Sequence, residues 1–448
     1  NLNLFSLKYV LTKPKGQGWN SLIKFVFDNL NKIGIKNIYF VLPIIHDWNS
    51  KFKEGGTTRL SSLIALQYYQ WIIKEDIYFS RDDTKDHLLQ TILYGSSEII
   101  NELKEIFEEI LKNRWKNHRD PYYDSSKVIL TKFEGIAVSK VLPKHILQLA
   151  DLFWSYTPRK DDYYGRSSIG VEQYFGLEDD RLDYFPASSF RTPIYWLLQT
   201  SLNDTVDFIL KFTNKAVERF AKSDFAKHEV EEVEVFLERG KPIKQYISNR
   251  LWCTYRGTQV SPHVLESMHM ALEKYFLERG KHADSTTLES WLLYLLGNSK
   301  SASISAIVTS IVLSYPEKTF NVAKSLFKTK KFFLYDTNRL VLDQGQKSSL
   351  LMLKNMYGIN PKNEIHEDER LKACDDKHRK WALEHLFLNY QFFRSEETSE
   401  EEAEERQTVL WKILDDYYKE FPNESEETES DKTWKLYLAR MDRRKMNP

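Results

Sequence analysis

Apolar residues at positions 19, 22, 23, 26, 27, 30 and 33 recur with the 3.6-residue period of a helix, and Gly34 stands where such a helix would end. The segment "NIYFVLPIIHDWN" (37–49) reads as apolar and buried, kinked or broken at Pro43. A Gly-Gly loop and a Thr cap then precede a helix reaching Lys74, with one or two helices over 85–112, a loop over 119–127 and a helix over 143–154. Further helices are predicted over 192–200 and 203–222. A strongly amphipathic helix follows over 264–279, closed by Gly280. Three more, over 287–296, 301–315 and 317–327, follow one another with very short connections. Others lie near 347–356 and over 378–393.

Three stretches depart from this pattern. Ser301–Tyr315 carries no charge and is apolar or small nearly all round, so it has to be covered on several sides. It is too short for the ~20 apolar residues a bilayer needs, which makes it an inner helix of a packed array. Small residues at Ser303, Ala306 and Ser310 would let neighbours approach closely. Over 230–247 a helix and a hairpin both fit. The alternation of Val233, Val235 and Leu237, the β-branched content and Pro242 tilt the reading to a β-hairpin. Residues 155–190 hold Pro, Gly, paired Asp and many Tyr, and read as a long ordered loop with short helical turns.

Composition fits a helical chain. Gly 16 and Pro 13 in 448 residues fall well below the roughly 12% usual for the two together. The fold class expected is mainly α: an irregular α-solenoid of stacked helical pairs, TPR/HEAT-like, with one small β-hairpin. No strict repeat period occurs, and the word "FLERGK", present twice, has unmatched flanks. Four segments are expected: an N-terminal helical array (1–154), the long loop with helices and hairpin (155–260), a central array around the inner helix (261–395), and a charged tail (396–448). The tail begins with seven glutamates in ten residues (396–405), either a disordered run or a charged helix start.

Charge and cysteine usage narrow the function classes. Lys+Arg and Asp+Glu are equal at 64 each, so nucleic acid is not expected as a primary partner, and no membrane partner is expected. Cys253 and Cys374 form no CxxC, which suits a reduced, cytoplasmic chain. The chain opens on "NLNLFSLKYV" without an initiator Met, and the expected reading is a fragment of a longer protein.

Catalytic motifs are sparse. Gly240-Lys241 is followed by Pro and Gly280-Lys281 by His, so neither makes a GxxxxGK[ST] loop, and no GxGxxG or HExxH occurs. "GRSSIG" (Gly165–Gly170) misses a nucleophile elbow by one residue and follows no predicted strand. The Ser21–Lys24 SxxK match lies on a helix with core residues between. His378 and His385, with Asp375, Asp376 and Glu384 nearby, could in principle converge on a metal. A solvated helix face is the plainer reading, and "HEDER" (366–370) reads as a charged loop or helix start. No catalytic residue, cofactor or metal site is expected in this chain, and it is not expected to be an enzyme. The best functional feature is the cluster Arg159, Lys160, Tyr163, Tyr164 and Arg166, because Tyr and Arg dominate protein-interface hot spots.

Three segments carry a resemblance: "NIYFVLPIIHDWNSKFKEGGTTRLSSLIALQYY" (37–69), "LWCTYRGTQVSPHVLESMHMALEKYFL" (251–277) and "SASISAIVTSIVLSYPEKTF" (301–320). Together they resemble the C-terminal helical region of bacterial antiviral STAND ATPases of the Avs type, over about Asn37 to Asp343. The resemblance implies a helical sensor lying after an effector and a P-loop ATPase. Such a sensor binds a phage protein such as a terminase or portal, and the full-length protein then oligomerises and activates its effector. It transfers no catalytic residue. The alternative is a plain helical scaffold for cellular protein partners.

Overall fold

The computed structural model describes residues 17–76, 83–156, 170–178, 181–238, 241–357, 363–392 and 398–446. The described chain is mainly helical, with a two-stranded antiparallel hairpin. It divides into two compact units. One comprises residues up to Ser155 with Trp196–Thr205, the other Tyr156–Tyr195 with the chain from Val206 onward. Among the described residues no helix is long and apolar enough to cross a membrane.

The first unit contains α1 (Gln17–Asp28), α2 (Ile38–Lys51), α3 (Gly56–Glu75), α4 (Asp83–Tyr94), α5 (Ile100–Asn113), α6 (Tyr123–Thr131) and α7 (Pro143–Trp154). Ile45 of α2, Ile64 and Tyr68 of α3, and Leu88 and Ile92 of α4 are buried together in its core. Asn49 ties the three helices. Its amide donates to Ser62 Oγ at 2.9 Å and to the Thr91 carbonyl at 2.8 Å. Gly95 lies so close to this junction that a Cβ there would overlap Ser62 Oγ.

Three expectations change here. Of the two readings of Pro43, the break does not occur, because Pro43 lies inside α2. The loop expected over 119–127 is helical from Tyr123: the Asp120 carboxylate accepts the Lys116 and Asn117 N–H groups at 2.8 and 2.7 Å, completing the turn before α6. The apolar stripe of α1 is narrower than its periodicity suggests, since Ile23 and Val26 are buried while Leu22 and Phe27 are exposed.

The second unit holds α8 (Leu202–Ala221, whose first turn belongs to the first unit), β1 (Glu231–Val235), β2 (Ile243–Ile247), α9 (His263–Gly280), α10 (Ser285–Asn298), α11 (Ala302–Ser314), α12 (Phe320–Phe327), α13 (Lys330–Tyr357), α14 (Glu364–Ala373), α15 (Leu383–Phe392), α16 (Glu400–Lys419) and α17 (Glu429–Met441). The hairpin reading over 230–247 holds. Glu231 pairs with Ile247 and Val235 with Ile243, and the buried positions Val233, Val235, Gln245 and Ile247 follow the two-residue period of a strand.

Helix α11 is the inner helix. Every residue from Ala302 to Leu313 is buried, Ser301 caps it by accepting the Ser303 N–H, and α9, α10, α12 and β2 all pack on it. Its polar residues are spent on neighbours rather than on water: Ser305 donates to Gln245 Oε1 at 2.6 Å, and Ser303 meets His269 Nε2 at 2.9 Å. Burying these hydroxyls is tolerable because each is bonded.

Helix α9 differs from the amphipathic helix expected over 264–279. It is buried all round from Val264 to Glu273, polar residues included. The single helix expected over 378–393 is instead a 3-10 turn (Lys377–Lys380) followed by α15. Residues 347–356 are the far half of the 28-residue α13. The acidic run resolves, from Glu400 onward, into the first turns of α16, capped by Ser399, which accepts the Glu402 N–H at 3.1 Å.

Candidate functional site

Glu273, one of the buried polar residues of α9, belongs to a charge network within the second unit. Arg379 sits in the 3-10 turn after α14, and its Nη1 and Nη2 each lie 2.7 Å from an oxygen of Glu273 on α9. Ser310 of α11 donates to the same carboxylate and touches His378 Nε2 at 3.1 Å. Behind this pair, Arg339 of α13 holds Asp336 at 3.0 and 3.1 Å and Asp343 at 3.2 Å. Arg256 reaches the other oxygen of Asp343 at 2.8 Å. Burial alone would raise Asp343, but Arg256, Arg379 and Arg339 outweigh it and hold the carboxyl below its usual range. His378 is pushed down to about 2, first by burial and then by the same arginines, so it is neutral here.

A cavity of about 520 Å³ opens on this network, lined by Tyr255, Arg256, Glu273, Asp376, His378 and Arg379 among others. Its deep charges are already committed to one another, which is the arrangement of a buried network that fixes helix positions. The histidine-and-acid group weighed as a metal site is not brought together. Asp375 pairs with Lys347, Glu384 with Arg440, and His385 accepts the Ala382 N–H at 3.2 Å. Among the described residues no group of three His, Cys, Asp or Glu could hold a metal ion. The "HEDER" residues lie at the start of α14, the helix-start option of that reading, and His366 is buried there, with Nδ1 2.7 Å from Ser188 Oγ.

The second polar feature is open. Helix α8 buries Ile209, Phe212, Ala216, Val217 and Phe220, and turns Lys211, Lys215 and Arg219 outward at four-residue spacing, with Lys222 three residues on. These side chains line a groove of about 1000 Å³, closed on its other side by Tyr294, Asn298 and Lys300 at and beyond the end of α10. The two walls are fastened together: Tyr294 donates to Asp207 at 2.6 Å, and Asn214 donates to the Asn298 carbonyl at 2.9 Å while accepting the Lys300 N–H at 2.7 Å. Five cationic side chains face two carboxylates, Asp207 and Glu218. Glu218 is divided between Lys222 at 2.7 Å and Lys300 at 3.2 Å, and these bonds hold its carboxyl below the usual range. Arg219 lies over Tyr156 and against Gly176, whose φ of +72° and closeness to Arg219 leave no room for a Cβ. Lys211 and Lys215 are exposed and make no hydrogen bond or ion pair among the described residues.

Arg159, Lys160, Tyr163, Tyr164 and Arg166 lie outside the described residues, as do residues 165–169 of "GRSSIG". The lysine row of α8 was open to sequence reasoning through its 4-4-3 spacing of basic residues on one helix. Its opposite wall, some eighty residues away in the chain, was not. No protein-family model matches this chain, and no curated protein matches it.

Proposed function

We propose that the chain is a non-enzymatic helical module that binds another protein, with the groove between α8 and the end of α10 as its docking surface. One observation carries this: Lys211 and Lys215 stand in a wide, open groove with no partner among the described residues, while Arg379 and Arg256, buried in the same unit, are paired with Glu273 and Asp343. Electrostatic complementarity of this kind steers association and selects partners. The two free cysteines, Cys253 and Cys374, suit a reduced cytoplasmic setting. A narrower reading rests on the resemblance alone: the sensor of an Avs-type STAND ATPase, built as a solenoid, with a phage terminase or portal as its ligand.

Native mass spectrometry of the protein isolated from its own cells tests the module reading. A stoichiometric protein complex, stable in low salt and lost in Lys211→Glu/Lys215→Glu, is the expected result. A protein that is free at every salt concentration contradicts it. The narrower reading is tested by the coding sequence upstream of Asn1, where a GxxxxGK[ST] loop is expected and its absence overturns the sensor assignment.

A further inference from the structure

We infer that the α8 groove takes an extended acidic segment of a partner polypeptide, an inference that rests on the interaction-module reading and specifies its ligand. Lys211 and Lys215 are one helical repeat of four apart, about 6 Å along the axis. Alternate side chains of an extended chain are about 6.6–6.8 Å apart, so carboxylates at every second residue fall into register with the lysine row.

The groove's chemistry favours a polypeptide over a nucleic acid. Asp207 and Glu218 interrupt the cationic wall and would repel a phosphate at every nucleotide, whereas a peptide can place its acids between them and offer N–H groups to them. The row is mostly lysine, which pairs with carboxylates as point charges. Its one arginine, the residue type suited to two-point phosphate contacts, is laid against Gly176 and Tyr156. Base stacking would need open aromatic faces. Tyr174 is already stacked on Phe225 at 4.8 Å, which leaves Tyr294, its hydroxyl held by Asp207, as a single exposed ring rather than a row of stacking platforms.

Glu218 supplies an internal competitor. It already occupies Lys222 and Lys300, so an incoming carboxylate must share those two lysines with it, while Lys211 and Lys215 are available at once. Glu218→Gln is therefore expected to tighten binding, the opposite direction from loss of a lysine.

The test is fluorescence anisotropy of the intact protein with labelled deca-glutamate and, separately, with an oligo-dT of equal charge. The expected result is saturable peptide binding that weakens at least about tenfold in Lys211→Glu/Lys215→Glu, strengthens in Glu218→Gln and falls steeply with salt. Both lysines are exposed and make no ion pair among the described residues, so circular dichroism of the double variant should match the parent. Absence of peptide binding, oligo-dT binding as tight as the peptide's, or binding indifferent to the lysine variants each overturns the inference. A stoichiometric protein complex surviving in native mass spectrometry alongside such a result would leave the module reading standing and remove only the acidic-segment assignment.

Discussion

Glu273 and Arg379 meet inside the second unit in a two-point contact, each guanidinium Nη atom 2.7 Å from a carboxylate oxygen. Both side chains are buried, and the pair joins α9 to the turn ahead of α15. Removing one partner strands the other charge away from water. Glu273→Ala is expected to cost about 3–5 kcal/mol of folding stability, measured by urea denaturation. A loss below about 1 kcal/mol, the scale of an exposed pair, would contradict the buried-network description.

Ala306 is fully buried at the middle of α11. Ala306→Glu places an unpaired charge in a packed site, and several kcal/mol of destabilisation is the expected scale. An unchanged melting temperature would show that α11 is not the inner helix of the unit.

Four histidines set a pH dependence. Burial is the main cause that lowers His46 and His269 to about 4, His366 to about 3 and His378 to about 2. Below the ordinary value of 6.5, the unfolded chain takes up protons that the folded chain refuses, so stability falls as pH drops through that window. Each histidine contributes a slope of up to about 1.4 kcal/mol per pH unit. Asp376, raised chiefly by burial, acts in the opposite sense but is one group against four. Urea midpoints between about pH 7 and pH 5 should therefore decline, and less steeply in His269→Gln. A flat profile would mean that these rings are already protonated in the fold.

Helix α11 could be read from sequence because its missing charges are a local property, and the hairpin because Val233 and Val235 alternate with glutamates. Helix α9 could not. Glu266, Ser267, His269 and Glu273 look like a polar face, and partners distant in sequence, such as Ser303 for His269 and Arg379 for Glu273, satisfy them when buried. The break between the Lys377–Lys380 turn and α15 has the same origin. His378 and Arg379 reach Ser310 and Glu273, and Asp336 accepts the Leu383 N–H at 2.9 Å near the start of α15. At the groove, the lysine row is local and legible, while Tyr294 and Lys300 join it only through hydrogen bonds to Asp207 and Asn214 of α8.

The most direct test of the docking surface is photo-crosslinking in the protein's own cells, with benzoylphenylalanine placed at Asn298 on the groove wall and, as a control, at the exposed Lys432 of α17. A protein adduct of defined mass is predicted from position 298. Its linked peptide should be rich in Asp and Glu, and the adduct should be lost in Lys211→Glu/Lys215→Glu and absent from the control site. Adducts from Lys432 with none from Asn298, or crosslinking to nucleic acid at Asn298, would contradict the groove's assignment as a protein-docking site.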